Sequence, residues 1–232
     1  MDAALRELDT RYRKKKRLNL ALSFLILFLG ISALCHLFSL DNEGILAFRW
    51  MTVDGTVYTL LMTAFFTGVN VVELVKKTEL TKRPVYFARL SAAVAECLIL
   101  TVVLISRLPV FPEHMHLARY DMCCMHLLIP LLAAASFVLN DSPLGKLKFR
   151  ERLAGTAFVL FYAVCLVALV GSGVIAGDMI PYFFLDYRHL PAPAFLGYWT
   201  AIFALSLLFS GGLAYLNRKL YWRWFKDLVR GD

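Results

Sequence analysis

Six runs of mostly apolar residues alternate along the chain with short polar segments, and each run is close to 20 residues long. They cover about 18–40, 50–75, 85–108, 122–140, 153–176 and 194–216. About 20 apolar residues in helical form cross a hydrocarbon core roughly 30 Å thick. The pattern therefore predicts an all-α, polytopic membrane protein: one integral membrane domain over residues 1–232, built as a bundle of six transmembrane helices. The basic stretch Arg11–Arg17 in the tail 1–17 reads as a short amphipathic or irregular collar on an anionic leaflet. The segment 217–232, rich in basic and aromatic residues, reads as interfacial.

The second run departs from a plain lipid anchor. Thr52, Thr56, Thr59, Thr63, Thr67 and Asn70 recur every three or four residues, which puts them on one face of a helix. Polar groups facing lipid tails cost several kcal/mol each unless paired, so this stripe should face neighbouring helices or a wet cavity. The third run carries Glu96 in its middle, and the fourth opens with Asp121, Cys123, Cys124 and His126. Between the fifth and sixth runs lies an aromatic and proline-rich hairpin, GDMIPYFFLDYRHLPAP, able to dip into a bilayer where protein covers its backbone.

Composition excludes an ordinary soluble domain: 59% of residues are hydrophobic and the mean hydropathy is +0.64. The net charge of +8 does not point to nucleic acid, because the cations sit between the apolar runs. Of the 25 Lys and Arg residues, 21 fall in the tails and the even-numbered loops, with Arg89 included, and only Arg49, Arg107, Arg119 and Arg188 in the odd-numbered ones. By the positive-inside rule both termini are cytoplasmic. The five cysteines show no CxxC or metal-ligand spacing, so neither a disulfide nor a metal is expected. The first run has no small-residue cleavage site, so it is expected to stay as a span rather than be removed as a signal peptide.

In this topology the second, fourth and sixth helices begin at the outer face, with their free N–H groups and positive dipole ends. Thr52, His126 and the PYFFLDYRH segment share that depth. A hydroxyl becomes a useful nucleophile when a base takes its proton, and imidazole suits that task near neutral pH. Thr52 and His126 form such a pair if the second and fourth helices touch, with helix N-termini to hold an oxyanion. From residue types alone, the same two residues equally fit a hydrogen bond between packed helices. Asp54 is expected to cap or begin the second helix, and Glu73 to reach Lys76 or Lys77 in the basic loop.

Three stretches, FRWMTVDGTVYTLL, HLLIPLLAAASFVL and PYFFLDYRHL followed by a last span, resemble the androgen-induced and androgen-dependent transmembrane threonine hydrolases and their bacterial relatives. The resemblance follows most of the chain in span order. It implies a lipid hydrolase acting on fatty acid esters of hydroxy fatty acids or related acyl lipids, seated in a bacterial cytoplasmic membrane and needing no cofactor. The family nucleophile falls on Thr52 and the family histidine on His126, ahead of Pro130. Asp54, Thr56, Tyr182 and Asp186 are candidates for support or substrate binding, with Asp186 a candidate to orient His126. The chain differs from bacterial relatives at Gly55 and Thr56, where they usually carry Ser-Asn. The implied partner is a membrane lipid near the extracytoplasmic leaflet.

Two other classes fit the same sequence. In a small proton-coupled transporter, Asp54, Glu73 and Glu96 would be the working groups. In a non-enzymatic membrane protein no single polar residue would be decisive.

Overall fold

The computed structural model describes residues 2–40, 44–76, 80, 83–107, 117–140, 142–182 and 187–223. Five helices are long and apolar enough to cross a membrane, a shorter apolar helix accompanies them, and the described residues contain no strand. The protein is an all-α polytopic membrane bundle.

Helix α1 spans Asp2–Leu40 and is followed by a 3-10 turn at Gly44–Arg49. Helix α2 spans Met51–Lys76, and α3 spans Arg83–Val102 and widens into a π turn at Val103–Arg107. The fourth span consists of α4 (Tyr120–Cys123), a π turn (Cys124–Leu128) and α5 (Ile129–Asn140). The fifth is made of α6 (Phe149–Ala154) and α7 (Ala157–Gly171), and the sixth is α8 (Ala192–Arg223).

Helix α3 is the centre of the bundle and packs against α2, α5 and α8. Its Leu90, Ala93, Val94, Ala95, Leu98 and Ile99 are buried. Small residues at Ser91, Ala92, Ala93 and Ala95 let neighbouring backbones come close, which is how helices associate where lipid tails are as apolar as leucine.

The polar stripe of α2 faces inward: Thr56, Thr59, Thr63 and Asn70 are buried. Part of it joins a buried network. Arg89 of α3 donates to Thr63 (3.5 Å) and to Ser136 of α5 (2.9 Å), and the Ser136 hydroxyl donates to Asn19 of α1 (3.1 Å). The Arg89 guanidinium also lies 4.5 Å from the Phe66 ring centroid.

Three expectations fall in whole or in part on described residues. Of the two forms expected for the basic stretch Arg11–Arg17, amphipathic or irregular, the irregular one is ruled out: the stretch continues α1, with Lys15 and Lys16 buried against the bundle. Glu73 is held from α1 and by the amide of residue 80, and one of its expected partners, Lys77, lies outside the described residues. Its carboxylate takes hydrogen bonds from Lys16 Nζ (2.5 Å) and the Leu80 amide (2.6 Å), and Lys16 also donates to Asn70 (3.1 Å). Residues 217–223, expected in an interfacial tail, continue α8 as helix. Asn217 is fully buried there and donates to the carbonyls of Phe137 and Val138, acceptors that the last turn of α5 leaves without helical partners. Residues 224–232 lie outside the described part.

The fifth span is also not the continuous helix expected over 153–176. It breaks at Gly155 and Thr156, and neighbouring serines meet the polar groups at the break. Ser91 of α3 accepts the Phe158 N–H (3.0 Å), and Ser210 of α8 donates to the Arg152 carbonyl (2.8 Å). Gly155 is required by space. A Cβ there would lie 2.3 Å from the Ser210 hydroxyl and 3.0 Å from Leu90.

Two stability outcomes follow. Gly155→Ala should lower the thermal stability of the purified protein by about 1–3 kcal/mol, the range for overpacking a filled site; an unchanged melting temperature would show that the break has slack. Lys16→Met and Glu73→Gln should each cost about 3–5 kcal/mol by stranding a buried partner, and the double variant should cost less than the sum of the two. Detergent thermal unfolding of the four proteins measures that coupling.

Candidate functional site

The site is built where the start of α2 meets the π turn of the fourth span. Ahead of α2, the 3-10 turn Gly44–Arg49 delivers Trp50, whose carbonyl accepts the amides of Val53 (3.0 Å) and Asp54 (3.2 Å). Thr52 therefore sits in the first turn, at the end of the inward-facing stripe, and is half-buried.

His126 is placed by a local distortion with a cause in the sequence. Pro130 has no N–H and cannot complete the helical bond to the carbonyl four residues back, at His126. The helix widens, and the Ile129 amide reaches back five residues to the Cys124 carbonyl. The widened turn carries the imidazole toward α2, with His126 9% exposed.

The imidazole Nε2 lies 3.2 Å from Thr52 Oγ1, and Nδ1 lies 3.0 Å from the Met122 carbonyl. A carbonyl only accepts, so Nδ1 holds the proton in the neutral ring. Nε2 is then left with its lone pair toward the Thr52 hydroxyl. This is the polarity a general base requires, and it is set by one backbone carbonyl on the same helix.

Tyr182 holds the start of α2. Its hydroxyl accepts the Met51 N–H (3.2 Å), and its ring meets Trp50 edge-on at 5.8 Å. Tyr162 of α7 donates to the Arg49 carbonyl (2.6 Å), and Arg49 donates to the Met179 carbonyl (3.3 Å). These bonds tie the start of α2 to the hairpin and to the fifth span. Compared with family models, curated proteins and solved structures, the chain matches none of them.

The remaining candidates are placed differently. Thr56 is fully buried one turn further along, and no hydrogen bond links it to the pair. Asp54 supplies no side-chain cap. It lines a cleft toward α7, on the other side of α2 from His126. Asp186 lies outside the described residues, and the anchor of His126 among the described residues is the Met122 carbonyl. Three of the four first-turn N–H groups of α2 are engaged: Val53 and Asp54 by Trp50, and Met51 by Tyr182.

Sequence reasoning missed Tyr162 and Met122. A backbone carbonyl carries no signal in the residue types, and Tyr162 reads as one more apolar position of the fifth run. Asp121, read only as part of a polar cluster, is buried and accepts from Arg119 (2.7 Å), with His36 of α1 at 3.1 Å. Among the described residues no group of three or more His, Cys, Asp or Glu side chains is arranged to hold a metal.

Proposed function

We propose that the protein is an intramembrane hydrolase of lipid esters, with Thr52 as nucleophile and His126 as general base. The observation that carries this reading is the Nε2 lone pair of His126, set toward the Thr52 hydroxyl at 3.2 Å by the bond from Nδ1 to Met122. The sequence resemblance to transmembrane threonine hydrolases supports the same two residues and suggests fatty acid esters of hydroxy fatty acids as the substrate class.

In this reading a fatty ester enters sideways from the bilayer, with its chains along the apolar helix walls and its ester bond at the start of α2. Thr52 Oγ attacks the ester carbonyl carbon while its proton passes to His126 Nε2. The tetrahedral oxyanion collapses, the bond to the alcohol breaks, and the alcohol oxygen leaves with the proton held by His126. Water then gives a proton to His126 and attacks the acyl-threonine, and the acid departs as Thr52 regains its hydrogen. Tyr182 is the residue we assign to the oxyanion, since its hydroxyl sits on the Met51 amide next to Thr52. We place the site near the extracytoplasmic leaflet of a bacterial cytoplasmic membrane, on the strength of the cation distribution and the resemblance.

A transport reading retains one specific observation. Glu96 is fully buried and neither carboxyl oxygen has a hydrogen-bond partner among the described residues, whereas Glu73 is bound to Lys16. Glu96→Gln separates the two readings, because it leaves the Thr52–His126 geometry alone.

Reaction of the detergent-purified protein with a fluorophosphonate probe tests the hydrolase reading. The wild type and Glu96→Gln should label at Thr52. Thr52→Ala should lose that label, and His126→Ala should slow labelling by about 10²–10⁴, the usual contribution of a general base. Tyr182→Phe should slow ester turnover about 10²-fold. Equal labelling of wild type, Thr52→Ala and His126→Ala proteins of matched thermal stability would sink the proposal.

A further inference from the structure

On the side of α2 away from His126, a cleft of about 330 Å³ runs between α2 and α7. Its walls are apolar: Val57 and Leu61 on α2, and Phe158, Phe161 and Leu169 on α7. Tyr58 stacks on Phe158 with ring centroids 4.4 Å apart, while Tyr162 further along α7 bonds to Arg49, so the two helices run antiparallel along the cleft. From Phe158 to Leu169, α7 rises about 16 Å at 1.5 Å per residue. That is about half of a hydrocarbon core of roughly 30 Å, the depth of one leaflet.

Asp54 is the one carboxylate in this lining. It is half-buried, and among the described residues it makes no side-chain hydrogen bond or ion pair. The α2 dipole favours an acid in this first turn, but an apolar wall offers little other compensation for its charge. The cleft thus combines an apolar slot about 16 Å long with a single carboxylate that meets it part-way along, between the levels of Phe158 and Tyr162. A hydroxyl head could donate one hydrogen bond there; an ammonium head donates three and cancels the charge.

We propose that this cleft is a binding site for a membrane amphiphile with one alkyl chain along α7 and a primary ammonium head at Asp54. The site lies apart from the Thr52–His126 pair and does not depend on the hydrolase reading.

The test is native mass spectrometry of the full chain in detergent, titrated with hexadecylamine and, separately, with hexadecanol. Wild type should bind the amine at least about tenfold more tightly than the alcohol, the size expected of one charge-assisted bond. Asp54→Asn should bind both equally. Val57→Trp, which fills the slot, should bind neither. A readout on the wild type uses native cysteines. Cys165 lines the cleft and Cys35 is elsewhere, and both are exposed. Bound hexadecylamine should slow N-ethylmaleimide addition at Cys165 while leaving Cys35 unchanged. The proposal is overturned if wild type does not prefer the amine, if Asp54→Asn keeps the preference, if Val57→Trp binds like wild type, or if Cys165 is not protected.

Discussion

A polar group inside hydrocarbon has no water to turn to, and the architecture of this bundle follows from that one constraint. At the break in the fifth span and at the end of α5, a side chain from a neighbouring helix completes the hydrogen bonding. Ser91 and Ser210 do so at Gly155, and Asn217 does so for the end of α5. The same rule governs charge, since Lys16 is buried with Glu73 as its partner and Arg89 ends on two hydroxyls. This network is what allows the helices to share one core.

The candidate site uses this rule in reverse. Its two key groups hold each other where α2 starts, and the distortion that brings them together comes from a missing hydrogen bond at Pro130 rather than from an added one. The imidazole is then oriented by the carbonyl of Met122 one turn earlier. Among the described residues it is this carbonyl, four residues away on the same span, that sets the tautomer.

The helical class and the five long apolar helices were legible because hydrophobic periodicity over about 20 residues leaves few other structures in a membrane. The inward face of α2 was legible for the same reason: threonines spaced by three and four can only share a side. Thr52 and His126 could be paired by depth and chemistry. What stayed hidden was determined by partners far away in sequence. The destination of Glu73 depends on Lys16, 57 residues earlier, and no local pattern reveals it. Gly155 in an apolar run reads as a tolerated helical residue, and only the approach of α8 shows why a turn sits there. Asp54 was read as a helix start, which its position supports, but the cleft beside it arises from packing against α7.

The break in the fifth span also bears on how the protein is made. Its two ends rely on residues that leave the ribosome at different times. Ser91 has been synthesised before Phe158 appears, so the N-terminal end of α7 can be completed as soon as it meets α3. The carbonyl of Arg152 must wait for Ser210, which comes almost 60 residues later. The hydrogen bonding at the break can therefore be complete only after the last helix has been made.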